Sequence, residues 1–471
     1  MSQNSMSSLI PRGSLGLKLL LVCLLVLAMG IPLLTVWGIV TERQLRANQV
    51  TTELGDRAGG AQVVGGPMLL VPYQRAVQIT DAMGRAQTRI DRGEYVIFAE
   101  TGTANSALAV TERRLGIYRA AVYRATTDFH AEFDPVAAME TIDPSYELNW
   151  EGARVAMFVN DSRAVRDAAE VRFADGSTAT LEPLSAITIA RPATDPARAA
   201  SVIEPIYPFG GYQVFAAAAP MTGGPRELTV DTRLVLGGAQ RFAIAAFAQD
   251  TTASIHGDRR DVSAQGFFQS DEALQPDADG FTASWRVPFV ARGIPKAADL
   301  AAFNLGDAGN RDMAVSFVAA DDIYQGVVRA IRYGIMFIGI VFLATLIFEA
   351  VSGKKAHPAQ YVLVGLAQCM FYLLLLSLTE LIGFAIAFGI GAGATVLLLS
   401  YYAGATFRSA GVGVRAFLGL GALYGAMYVL MTLEDFALLA GSLVGFTVIA
   451  ATMIATRRID WYGRGGAAAA D

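Results

Sequence analysis

From Tyr361 to Thr379 the chain carries no charged side chain. At about 1.5 Å per residue this run is long enough to cross about 30 Å of hydrocarbon as a helix. A stretch of this kind restricts the chain more than any other feature, because in lipid every backbone amide must find its partner within the span. Comparable runs occur at Leu19–Val40, Tyr333–Val351, Ile382–Tyr401, Ala416–Thr432 and Phe436–Ala455, making six expected spans. The 53% hydrophobic content and mean hydropathy of +0.41 agree with a chain that lives partly in a bilayer. The net charge of -5 and the absence of a basic block argue against nucleic acid as a partner. Cys23 and Cys369 both sit in apolar runs, so there is no disulfide framework.

Arg12 and Lys18 precede the first run, which continues beyond the apolar core of a signal peptide. It reads as an uncleaved signal anchor kinked at Pro32; the alternative is cleavage after the Ala28-Met29-Gly30 triplet. A polar helical neck, Thr41 to Gln49, leads to the glycine-rich, then apolar segment Gly55 to Val71. Period-two alternation follows in Thr127–Phe133, Glu227–Leu236 and Phe281–Val287, where Phe129, Val230 and Trp285 fall on the apolar side. Turn signals stand at Asn160-Asp161, Asp175-Gly176 and Asp279-Gly280. These patterns predict a mostly antiparallel β-sandwich, or a pair of sandwiches, with Pro192–Pro208 as the one candidate internal boundary.

The expected fold class is therefore an α+β membrane protein. Residues 1–18 form a cytoplasmic N-terminus, 19–40 a transmembrane anchor and 41–325 a periplasmic β-rich domain. Residues 326–455 form a bundle of five transmembrane helices, with Asp321–Arg332 as a helical lead-in, and 456–471 a cytoplasmic tail. Charge sets the orientation. Lys354 and Lys355, Arg408 and Arg415, and Arg457, Arg458 and Arg464 follow alternate spans, whereas the opposite loops hold Glu380 and Glu434 with Asp435. Positive charge marks the cytoplasmic side, so both termini are expected inside. Arg43, Arg46, Arg329 and Arg332, at the outer ends of the first two spans, oppose that rule.

Chemically the chain is sparse. Glu349, Gln368 and Glu380 are the polar candidates of the membrane region. Glu349 and Glu380 lie near span ends, where a capping or helix–helix hydrogen-bonding role is the plainer reading and a transport or binding role the alternative. No Lys or Arg is expected at matching depth. Gly389/Gly393, Gly421/Gly425 and Gly441/Gly445 have the spacing of helix-packing faces. The three histidines are far apart and no HExxH, CxxC, GxSxG or SxxK element occurs, so neither a metal, a cofactor nor catalysis is expected. His130 reads as an outward strand residue, His256 as a loop residue, and His357 with Pro358 as a helix start. Asp277 to Gly280 reads as a hairpin turn.

The segment His357-Pro358-Ala359-Gln360-Tyr361, followed by Phe371 to Glu380 and Gly383-Phe384, resembles the CreD family of bacterial inner-membrane proteins. Phe348-Glu349, Ile459-Asp460-Trp461-Tyr462, Gly116-Ile117-Tyr118 with Phe129 to Asp134, and Gly280 to Trp285 extend the likeness. Leu381 stands where the family usually has His, and no tryptophan-proline-histidine box is recognisable around Ile255–Phe268. The resemblance implies a multi-pass protein supporting envelope integrity and tolerance of colicins and cell-wall antibiotics. It carries over no catalytic residue. The expected function is non-enzymatic, with the β domain binding an envelope protein, glycan or lipid. The alternative is a transporter or lipid-handling protein using the helix bundle. The oligomeric state is not readable from the sequence.

Overall fold

The computed structural model describes residues 15–80, 85–116, 118–184, 187–191, 202–206, 211–271, 275–277, 280–300, 302–317, 323–352, 356–432 and 437–457. The candidate residues Asp460, Trp461 and Tyr462 lie outside these. So do Arg12, Ile117, Asp279, Lys354, Lys355, Glu434, Asp435, Arg458 and Arg464, and most of Pro192–Pro208. The chain divides into two compact units, Met1–Asn48 with Asp321–Asp471, and Gln49–Ala320.

The second unit is built on three long strands, β1 (Gln62–Thr80), β2 (Ala86–Leu115) and β3 (Tyr118–Phe133). The expected separate sheets are not found: the described strands join into one 17-stranded sheet, with a two-stranded sheet beside it. The reason is the length of β2. Its first half pairs with β1, from Met68↔Phe98 to Thr80↔Ala86, and its second half with β3, from Thr101↔Glu132 to Leu115↔Tyr118. One strand thus belongs to both halves. Pairing is mostly antiparallel, with parallel contacts between Gln62–Val64 and Phe242–Ile244 and between Ala99–Leu108 and Ala248–Gly257.

The predicted alternation appears as burial. Phe129, Ala131 and Phe133, then Leu228, Val230, Leu234 and Leu236, then Phe281, Ala283, Trp285 and Val287, all lie in one core. A second cluster, including Met68, Leu70, Phe98 and Phe158, lies on the other face of β1. Gly65 and Gly66 are where β1 passes between the two. A Cβ on Gly65 would lie 1.9 Å from the Phe158 ring, and one on Gly66 would lie 2.5 Å from the Phe247 ring. Successive strand residues face opposite ways, so a pair of glycines thins the strand on both faces at once.

His256 is not in a loop. It lies on the strand Ala248–Gly257, opposite Thr282, exposed while its neighbours Ala253 and Ile255 are buried. The strand runs right up to Gly257, the first residue of the Gly257-Asp258 turn signal. His130 points outward as predicted. Its Nδ1 lies 2.7 Å from Asp231 Oδ1 and its Nε2 3.5 Å from Glu132 Oε1. The hydrogen bond to Asp231 holds the imidazolium above its ordinary range, against a smaller effect of burial. A raised folded value means the contribution is complete below the unfolded value of about 6.5 and is lost as pH rises through the folded one. The side chain is 41% exposed, so solvent screens the pair to a few tenths of a kcal/mol. His130→Gln should therefore flatten a small loss of thermal stability on going from pH 6 to pH 8. An unchanged slope would assign that dependence elsewhere.

Arg292 is fully buried. Its Nε donates to the Ala246 carbonyl at 2.9 Å and its guanidinium lies 4.0 Å from the Phe98 ring centroid, while both terminal nitrogens lack a hydrogen-bond partner among the described residues. Burial, and secondarily Arg311, push its pKa down to about 9. A cation held this way costs folding energy at neutral pH, a cost relieved only as pH rises through that value. Arg292→Met should leave the unit as stable or raise its melting temperature, because the replacement fills the space without the charge. A drop of several degrees would contradict this.

The first unit begins with α1 (Leu15–Ala28) and α2 (Gly30–Asp56). The break at Met29 follows from Pro32, which has no N–H to give the Ala28 carbonyl. After the β-rich unit come α3 (Ile323–Arg332), α4 (Gly334–Ser352), α5 (Pro358–Ile382), α6 (Phe384–Thr406), α7 (Ala410–Thr432) and α8 (Ala437–Thr456). Among the described residues, Leu17–Asp56, α5, α6 and α7 are each long and apolar enough to cross a membrane. Helices α3 and α4 form a fifth candidate bent by 45°, and Gly441–Ile454 is a shorter apolar helix.

The packing glycines are not the ones whose spacing suggested it. Among the described residues, Cβ atoms on Gly389, Gly393, Gly421, Gly425 and Gly445 would meet nothing within 4 Å. Only Gly441 of those pairs meets a neighbour, Tyr333. The close approaches are instead at Gly334 against Leu33 and Gly365 against Met29 and Phe342, with a looser one at Gly339 against Val26. Three glycines of α4 and α5 thus seat the N-terminal helix.

Candidate functional site

Two ion pairs of the helical unit stand at the two ends of the first apolar run. At one end Glu349, near the close of α4, is buried, and Lys18 Nζ reaches its Oε2 at 2.8 Å. Its Oε1 accepts the Ala356 backbone amide. At the other end Arg43 lies 3.7 Å from Glu380 Oε2, and the Tyr324 hydroxyl donates to Glu380 Oε1 at 3.1 Å. Lys18 and Arg43 stand 25 residues apart, about 37 Å of helix. That span slightly exceeds the hydrocarbon thickness, so each pair sits near one membrane surface. The expectation that no cation lies at matching depth is corrected: Lys18 and Arg43, which flank the first apolar run, reach Glu349 and Glu380. Arg43 also accounts for a basic residue at the end where the charge rule disfavours one.

Gln368 does not join either pair. It is buried in mid-span on α5, and its Nε2 has no hydrogen-bond partner among the described residues. Sequence reasoning missed Lys18, Arg43 and Tyr324 as partners. The signal was present in the two charges bracketing the first apolar run, each matched by a carboxylate at the same end of a later span.

The start of α5 is a cap rather than a site. The His357 Nδ1 accepts the Ala359 amide at 3.2 Å, and the Gln360 Oε1 accepts the His357 amide at 2.9 Å. Pro358 occupies the first helical turn, where no amide donor is needed. Tyr361 is buried edge-on against Phe342, with centroids 5.4 Å apart. Further along, Phe371 receives Tyr372, Phe388 and Tyr424 edge-on, so one ring ties α5 to α6 and α7. Thr379 is buried and its hydroxyl donates to the Leu375 carbonyl. Gly383, at φ +82, ends α5. The HPxQY and FYLLLLSLTE elements are therefore explained by capping, aromatic packing and one ion pair. Among the described residues, no group of three or more His, Cys, Asp or Glu could hold a metal.

The family model for "Inner membrane protein CreD" matches residues 14–462. The chain belongs to the CreD family. The Escherichia coli K12 inner membrane protein CreD is 26% identical over 444 residues, covering 93% of this chain and 91% of that protein. CreD membership and the apolar helices together place the chain in the inner membrane. A solved protease candidate from Parabacteroides distasonis ATCC 8503 aligns with 59% of this chain and 50% of its own at 9% identity. Its TM-score of 0.21 is too low for any argument. Within the CreD match fall Lys18, Glu349, Arg43 and Glu380, all four members of the two pairs.

Proposed function

We propose that this chain supports cell-envelope integrity as a non-enzymatic inner-membrane protein whose β-rich unit binds an envelope component or a partner protein. In this reading both termini are cytoplasmic and the β-rich unit is periplasmic, the orientation favoured by Arg408, Arg415 and Arg457. The carrying observation is the seating of the N-terminal helix, ion-paired at both ends and fitted to glycines of α4 and α5. A segment built into the bundle in this way is a retained anchor, and it leaves the β-rich unit tethered to the membrane at both ends. A sheet of this size, held so, suits docking to something close to the membrane surface.

The test is a chain lacking residues 60–315 with its helices kept. It should reach the membrane yet fail to protect cells against cell-wall antibiotics. Retained protection would contradict the proposal. A second reading, lipid handling or transport by the helices, is favoured by a groove of about 360 Å³ among α4, α5, α6 and α7. It requires Glu349→Gln or Glu380→Gln to abolish function with protein levels unchanged.

A further inference from the structure

The groove among α4 to α7 has a direction. Its residues start where α4 and α6 end and α5 and α7 begin, at Thr406, Tyr361 and Arg415, and reach Leu423. Leu423 lies 13 residues into α7, about 20 Å along its axis. That is close to the depth of one leaflet, half of about 30 Å plus part of the interface. The deeper wall is apolar, with Val364, Leu399 and Leu420. The one charged residue in the lining is Arg415. It is exposed, and its guanidinium folds back toward the start of α7: a Cβ on Gly411 would lie 3.9 Å from its Nη2. No ion pair within 4.0 Å is formed by Arg415 among the described residues. The groove therefore combines a leaflet-deep apolar channel with a single cation at its mouth.

We infer that this groove holds one acyl chain of an anionic phospholipid, with the headgroup phosphate at Arg415. An apolar slot open to the bilayer is filled by hydrocarbon, and a long cationic side chain reaching the interface selects which lipid supplies it. A volume of about 360 Å³ falls in the range of small-ligand sites. Gly419 lines the groove, and a Cβ there would meet nothing within 4 Å, so the wall is open at that point rather than closed by a neighbouring helix. This deepens the second reading above and does not depend on the first.

The test uses the full-length protein in phosphatidylcholine vesicles containing phosphatidylglycerol with a photoreactive acyl chain. Labelling should map to peptides carrying Val364, Leu399 or Leu420. Unlabelled phosphatidylglycerol should compete about fivefold better than phosphatidylcholine, and inorganic phosphate should not compete. Arg415→Gln, an exposed change, should bring the two lipids to parity while keeping the label. Gly419→Phe should remove the label and Gly419→Ala retain it, in protein that stays monodisperse. Equal competition by the two lipids with the unsubstituted chain, or labelling unaffected by Gly419→Phe, would overturn the inference. So would a chain-to-chain crosslink in place of lipid, which would assign the groove to a second copy. Loss of the label with unaltered envelope protection would leave the site in place and remove only its link to the second reading.

Discussion

Lys18→Met should destabilise the helical unit by about 3 kcal/mol, whereas Glu349→Gln should cost about 1 kcal/mol. The asymmetry follows from exposure. The Glu349 side chain is 5% exposed and that of Lys18 39%. Removing the lysine strands a carboxylate where water cannot reach it, which is the expensive way to break a buried pair. Removing the carboxylate leaves a lysine that can turn its ammonium to the interface. The glutamine also keeps an oxygen to accept the Ala356 amide. The double variant Lys18→Met/Glu349→Gln should be more stable than Lys18→Met alone, giving a coupling energy above 1 kcal/mol. Thermal unfolding in detergent, followed by loss of monodisperse protein, measures all three. Equal costs for the two single changes with no coupling would mean the pair does not hold the helix. This set also bears on the second functional reading, because transport through Glu349 predicts lost function without lost protein.

Gly65→Val and Gly66→Val should each cost the β-rich unit about 3 kcal/mol, the upper end for overpacking a core. The reason is local and different for each. A Cβ on Gly65 meets the Phe158 ring and one on Gly66 meets the Phe247 ring, both well inside contact distance. Rings in a packed core cannot swing aside as a long flexible chain can. The partner changes Phe158→Ala and Phe247→Ala should each rescue only their own glycine variant, since the rings stand on opposite faces of β1. Chemical denaturation of the full chain, read by tryptophan fluorescence at Trp150 and Trp285, separates the cases. Full stability of either glycine variant would contradict the placement of β1 between two cores.

Much of the architecture is legible because burial leaves a period. Strand alternation at Phe281–Val287 and the uncharged run Tyr361–Thr379 each state their surroundings directly, and both are found as read. The shared strand is not legible. Gly102 stands where β2 passes from β1 to β3, with its Cβ position 2.5 Å from the Phe247 ring, but a lone glycine in a strand does not state a change of partner. His256 misleads for a related reason: glycine and aspartate after it signal a turn, and the strand runs right up to that turn.

The helical unit shows the same limit in another form. GxxxG spacing is a property of one helix, whereas close packing belongs to two. Gly389 and Gly393 keep the spacing, yet among the described residues nothing lies within 4 Å of their Cβ positions, and Gly365 lacks it yet lies against Met29. The ion pairs were half visible. Each carboxylate could be placed at a membrane surface from the sequence, but its partner lies more than three hundred residues earlier in the chain.

The central claim is that the N-terminal helix is a retained, integral member of the bundle. A direct measurement is disulfide formation between Val26→Cys and Gly339→Cys, in a chain with Cys23→Ala and Cys369→Ala. The Val26 Cγ1 lies 3.7 Å from where a Gly339 Cβ would stand, so the two positions are in van der Waals contact. The account predicts that oxidation in native membranes joins the two in protein of full-length mass, and that Val26→Cys with Gly419→Cys does not join. Failure of the first pair to close, or recovery of protein lacking its first helix, would contradict it.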